Sequence, residues 1–234
     1  MASGGMRHTP DWRRLVNKVR KTYHIDMVAS KRARKDDLSA LGEIAERQEG
    51  YFSAAQGALA GVDRHRLQRL TGQGIIERAK RGIYRFPSYP LGDRAELWRA
   101  ALWPSVRRGD VLGTLSHGTA LSLYEISTIN PSAIDISLPR SIRIRRVVPP
   151  AYRLHFRDYG DNEVTRLLGL PVTTLYRTLL DLILGTSEAQ FVAESLDNAQ
   201  RMGLLTSTEV NRLRAVRGLD PDLMEQIARG RVGS

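Results

Sequence analysis

The sequence predicts an α+β fold, and three observations predict it. Leu38, Leu41, Ile44 and Ala45 recur at helical spacing and open a compact run of short helical segments. The stretch from Ile75 to Phe86, IIERAKRGIYRF, sets two strand-like runs on either side of a basic turn that contains Gly82. Further on, AIDISLP and AYRLHF alternate apolar and polar residues, as half-buried strands do, and helical patterns flank them.

The elements follow in order. The first helix carries its apolar stripe from Leu38 to Ala45 and ends near Gly50. Ser53 caps a short second helix, SAAQGALAG, because a serine oxygen ahead of an apolar run satisfies an otherwise unpaired N–H. A tight turn at Gly61-Val62 leads to Asp63, which caps a third helix, RHRLQRL, ending in the Gly-rich TGQG. The hairpin IIERAKRGIYRF comes next, with Ile75, Ile76, Ile83 and Phe86 as its strand-forming positions. Helix, helix, tight turn, helix, hairpin is the chain order of a winged helix-turn-helix, here spanning residues 38–90.

The region from residue 91 to 234 reads as a mixed α/β domain. An amphipathic helix, ELWRAALWP, precedes a second helix in SHGTALSLYEI, which Ser116 is placed to cap. Three strands follow: AIDISLP, with Ile134, Ile136 and Leu138 on one face; AYRLHF, with Tyr152, Leu154 and Phe156 on one face; and VTRLLGL. Between the first two, RSIRIRRVVPP holds four arginines and reads as a long mobile hairpin. The helix TTLYRTLLDLIL closes this part, and from about residue 186 the tail is helical. In the tail, Thr206 and Glu209 form a capping box, and a last helix starts at Asp220-Pro221.

Charge is unevenly spread. The formal net charge is +11, and residues 1–90 hold 18 Lys and Arg against 9 Asp and Glu. The basic excess therefore belongs to the front of the chain, which points to a polyanionic partner for that part. Residues 1–37 form a basic extension with the run KRARK, either a solvated arm or one that follows phosphates. The absence of cysteine rules out a disulfide framework, a thiol nucleophile or a thiolate metal site, and fits a reducing cytoplasm. Neither a signal-peptide core nor a run of membrane-spanning length is present, so no membrane partner is expected.

Within the third helix, Leu67 and Leu70 face inward at 100° per residue, which puts His65 and Arg69 on the opposite side with Gln68 and Arg66 flanking them. Arg64 sits in the first turn. Arginine matches guanine and glutamine matches adenine in the major groove, so Arg64, His65, Gln68 and Arg69 are the candidates for base edges. Ser53, Arg66, Arg78, Lys80, Arg81 and Arg85 are the candidates for phosphates, the last four as a wing that positions the protein without reading sequence. Gly82 supplies the positive φ a tight turn needs.

Enzyme readings lack residues to act with. The five histidines show no HxxxH or HExxH spacing, and no phosphate-binding loop, dinucleotide fingerprint or carboxylate cluster appears. No catalytic residue, cofactor or metal is assigned. Ser116-His117 resembles a nucleophile and base only on paper, since adjacent residues seldom face one another and capping accounts for the serine.

The front block GYFSAAQGALAGVDRHRLQRLTGQGIIERAKRGIYRF resembles the N-terminal winged helix of the AbiEi-type antitoxins: Gly, an aromatic, Ser or Thr, two helices around a short turn, and a hairpin closing in RxxRGxY. LSHGTALSLYEI, AIDISLP and LPVTTLYRTLLDLI are similar, in the same order, to three motifs of that family's C-terminal domain. The resemblance spans residues 38–184, and the basic extension lies outside it. It implies a bacterial antitoxin with two duties: repressing its own operon by binding inverted repeats in promoter DNA, and counteracting a nucleotidyltransferase-type toxin, as in systems linked to abortive infection and in related mycobacterial pairs. The rival expectation is a winged-helix regulator whose second domain senses a ligand or oligomerises, with no toxin partner.

Overall fold

The structure, a computed structural model, describes residues 38–105, 113–185 and 189–216. The basic extension and the helix expected from Asp220 lie outside the described residues. The class is α+β, with one three-stranded and one five-stranded sheet among the described residues.

The front of the chain runs α1 (residues 38–46), β1 (Tyr51–Ser53), α2 (Ala54–Leu59), α3 (Arg64–Gly72), β2 (Glu77–Lys80) and β3 (Ile83–Arg85). Its sheet has the order β1-β3-β2, antiparallel throughout. Strand β1 was not anticipated: three residues cannot display a period, and this strand exists only because Tyr51, Phe52 and Ser53 pair with Arg85, Tyr84 and Ile83. The hairpin is also shorter than expected. Ile75 and Ile76 precede β2, and Ile76 is buried in the core while Ile75 is exposed.

Period-two alternation gives this small sheet two different faces. Phe52 and Tyr84 stack at 5.8 Å on the side of α1, α2 and α3, in a core with Leu41, Val62, Leu67 and Leu70. Tyr51 and Ile83 point the other way, into a core they share with Trp98, Leu115, Ile136 and Val172 of the following region. The sheet is thus buried on both sides. Gly50, at φ +86, enters β1 where a Cβ would lie 2.6 Å from the Cβ of Tyr89, so both conformation and space demand glycine.

The second region contains α4 (Ala95–Leu102), β4 (Thr114–Leu115), α5 (His117–Leu123), β5 (Ile134–Leu138), β6 (Tyr152–Phe156), β7 (Val164–Leu167), β8 (Leu170–Thr173) and α6 (Leu175–Gly185). Helices α7 (Ala189–Arg201) and α8 (Ser207–Arg214) follow. The sheet order is β6-β5-β4-β8-β7. Leu179, Ile183, Val192, Leu196, Val210 and Leu213 join α6, α7 and α8 in an apolar core that Leu121 of α5 also enters. The Thr206–Glu209 capping box forms as expected.

Two strand expectations change. VTRLLGL is not one strand: β7 and β8 make a tight antiparallel hairpin, turning at Leu168 and Gly169, both with positive φ. RSIRIRRVVPP is not a hairpin either. Strands β5 and β6 are parallel, with Ile136 beside Leu154, and parallel neighbours require a crossover of about a dozen residues. Residues 139–151 are that crossover, seated through Ile142, Ile144 and Val148 on the shared core. Among the described residues no helix is long and apolar enough to cross a membrane.

Candidate nucleic-acid interface

Helix α3 starts where the Asp63 carboxylate accepts the Arg66 backbone N–H at 2.8 Å, a hydrogen bond that holds the Asp63 carboxyl below its ordinary range. Leu67 and Leu70 are buried, which fixes the helix's rotation about its axis. Arg64, His65, Gln68 and Arg69 are all exposed as a consequence. The four candidates for base edges therefore share the outward side of one helix. Arg66 differs. It is half-buried, and its guanidinium lies 3.4 Å from the carbonyl of Gly61, beside the turn before α3.

In the wing, the turn between β2 and β3 is made by Arg81 and Gly82, the latter at φ +80. A bulge between Arg78 and Lys80 twists β2, so these two side chains are not equivalent. Arg78, opposite Tyr84, is exposed; so is Arg81 at the tip. Lys80, opposite Ile83, turns toward the second sheet. Its Nζ donates to the Tyr152 hydroxyl at 3.0 Å and lies 4.0 Å from Glu96.

Ser53 and Arg85 turn inward, contrary to the expectation that they face phosphates. Ser53 is 1% exposed; its Oγ accepts from Gln56 N–H at 3.1 Å while the Gln56 side chain accepts from Ser53 N–H at 2.9 Å, a complete capping box for α2. Arg85 shares the Tyr51–Ile83 face and is 8% exposed, donating to the Tyr89 carbonyl at 2.6 Å and pairing with Glu77 at 3.1 Å. The reason is the second region, which covers a sheet face that an isolated hairpin would leave to solvent.

Between α3 and the wing lies a groove of about 690 Å³. Arg64, Gln68, Arg78 and Arg81 line it from the front of the chain, and Trp103 and Arg146 from the second region. Arg146 was not among the sequence candidates. Its signal was present in RSIRIRRVVPP, but no spacing rule connects residue 146 to a helix at residue 64.

The second region holds a different constellation. Asp181, 2% exposed, receives the Tyr159 hydroxyl at 2.9 Å, Arg157 at 3.0 Å and the guanidinium of Arg177, which also pairs with Glu163 at 3.0 Å. Burial works against the charge on Arg177, yet its carboxylate partners win and hold its pKa up. Burial raises the Tyr159 hydroxyl above its usual range. Ser137 links Tyr159 to Ser116, with contacts of 2.9 and 2.7 Å. Ser116 is therefore engaged by Ser137 and makes no side-chain cap on α5, a correction to the capping expectation.

Ser116 does touch His117, at 3.0 Å, because His117 adopts φ +48. The geometry does not make a relay. Ser116 is fully buried, and Asp135 bonds not to His117 but to His155, at 2.8 Å, whose ring stacks on His117 at 3.6 Å. Burial, then the neighbouring His155, pushes the His117 pKa down to about 4. Among the described residues no group of three or more His, Cys, Asp or Glu is placed to hold a metal ion.

Residues 39–87 match the family model described as transcriptional regulator, AbiEi antitoxin. The resemblance read from the sequence holds over this domain. Among solved structures, the chain is similar to the RV2827C protein from Mycobacterium tuberculosis, at 14% identity and a TM-score of 0.44, over 84% of this chain and 80% of that one. No curated protein matches the chain.

Proposed function

We propose that this chain, whose residues 39–87 match the model of the AbiEi antitoxin transcriptional regulators, is a non-enzymatic DNA-binding autorepressor and antitoxin. The observation that carries the reading is the outward side of α3: Arg64, His65, Gln68 and Arg69 stand exposed beside a wing tip that presents Arg78 and Arg81. Such a helix enters a major groove while the wing meets the backbone. In this account residues 38–90 form the DNA-binding domain and residues 91–234 the antitoxin domain. Arg64, His65, Gln68 and Arg69 read base edges, and Arg78 and Arg81 hold phosphates. The target is an inverted repeat in the chain's own promoter, and the opposed toxin is a nucleotidyltransferase.

A mobility-shift assay on DNA from upstream of the gene tests the first half. The wild-type chain is expected to retard this duplex, and Arg69→Ala with Arg81→Ala to release it; binding indifferent to both substitutions would overturn the assignment. Co-expression with the product of the neighbouring gene tests the second half. Relief of that product's toxicity supports an antitoxin, and a neighbour without a toxic product supports a regulator acting alone.

A further inference from the structure

The crossover between β5 and β6 does more than connect two strands. Along it, apolar and basic residues alternate: Ile142 and Ile144 are half-buried against the shared core, while Arg143 and Arg145 are exposed. Arg146 comes next, with its guanidinium 4.0 Å above the Trp103 ring. Burial, together with the nearby charge of Arg81, lowers the Arg146 pKa, so the crossover and the wing tip stand close enough to repel. A second groove, of about 470 Å³, is lined by Arg81, Arg143, Arg145 and Arg146 and adjoins the α3 groove through Arg81 and Arg146.

Six arginines thus run in one strip, from Arg64 through Arg78 and Arg81 to Arg146, Arg145 and Arg143. Among the described residues, none of them has a carboxylate within ion-pair distance. The contrast with Arg85, Arg94, Arg157, Arg177 and Arg214, each paired, is local and specific. A fold that seats like charges together without internal neutralisation is complemented by a polyanion whose charges are regularly spaced.

We propose that the crossover, residues 139–151, is a second phosphate-binding element for the same duplex. Arg143 and Arg145 neutralise backbone phosphates beyond those met by Arg81, and Arg146, held on Trp103, sets the crossover against the wing. The proposal rests on the DNA-binding reading above. Duplex DNA is the occupant because the strip is continuous with α3 and the wing, so a ligand reaching both must be an extended polyanion.

The test uses the full chain, a duplex carrying the sequence immediately upstream of its gene, and a scrambled duplex. Arg143→Gln with Arg145→Gln leaves the Arg146–Trp103 stack intact, and an unchanged Tm verifies folding. Affinity is measured across a salt series. The double variant is expected to lower the steepness of log K against log salt by about 2, on both duplexes, since each phosphate contact contributes about 0.9. The footprint shortens on the wing side, and Arg143→Lys with Arg145→Lys keeps the wild-type slope. A slope equal to wild type in the glutamine variant overturns the proposal, even if that variant loses an acidic protein partner instead. Should the wild-type chain show no salt-dependent binding, the DNA-binding reading falls with it; wild-type binding with an unaltered variant slope removes the crossover alone.

Discussion

Helix α3 with its wing, and helix α6, put the same kind of side chain to opposite uses. In the winged helix, Arg64, Arg78 and Arg81 stand in solvent without a carboxylate beside them, while in the second region Arg177 is 5% exposed and tied to Asp181 and Glu163. The first arrangement leaves charge available to a ligand, and the second spends it on holding helix α6 against the strands. The lesson is that arginine content alone says little. Partners on the inside decide whether a cation is a contact or a strut.

The largest effect should come from breaking the strut. Asp181→Ala removes the carboxylate that receives Arg157, Arg177 and Tyr159, and stranding buried charge costs about 3–5 kcal/mol. Denaturant unfolding is expected to show that loss, with DNA affinity retained while the protein stays folded. A change comparable to a surface substitution would mean that solvent screens this network.

On the other side of the comparison, Arg69→Ala is expected to cost about 1–3 kcal/mol of binding to cognate DNA. It should leave stability nearly unchanged. Measuring the same variant on a scrambled duplex sharpens the assignment, because a base-reading residue loses more on the cognate sequence. Equal losses on both would move Arg69 to the phosphates.

Arg81 and Arg85 are only four residues apart yet fall in opposite classes. Arg81→Ala should reduce the salt slope by about 1 and leave unfolding alone. Arg85→Ala should do the reverse, lowering stability by roughly 1–3 kcal/mol through its lost bonds to Tyr89 and Glu77, with the slope intact. Ser53→Ala removes the α2 cap and is expected to cost about 1 kcal/mol of stability.

A further effect is a pH dependence of the second region. His117 has a folded pKa of about 4 against an ordinary 6.5, so between those values the unfolded chain holds more protons than the folded one. Its contribution to stability is complete above 6.5 and declines as pH falls toward 4. Thermal unfolding across that window should show a lower Tm at the acid end, and His117→Asn, which tolerates the left-handed backbone, should flatten the dependence. An equal decline in the variant would assign it to other groups.

Local physics made much of this legible. The cap at Asp63, the inward Leu67 and Leu70, the exposed face of α3 and the glycine of the wing all depend on residues within one turn of each other, and each appears where the sequence places it. Contacts that cross the chain were not legible. Strand β1 needs β3, some 30 residues later; the inward turn of Arg85 and Lys80 needs a second sheet behind the first; and Arg146 reaches the α3 groove only because β5 and β6 are parallel. In SHGTALSLYEI and TTLYRTLLDLIL the polar residues Ser116, Thr119, Arg177, Thr178 and Asp181 are buried, which neither helical pattern indicates. Their pattern reflects a polar interior rather than a reacting surface.

The central claim is that the α3 face and the wing bind the chain's own promoter, and a salt titration of that binding tests it most directly. If about six phosphates are neutralised, log K should fall with log salt at a slope of about −5, and Arg69→Ala together with Arg81→Ala should abolish retention of the cognate duplex. A wild-type protein that does not bind the duplex, or binds it with an affinity that neither salt nor the two substitutions alter, would contradict the account.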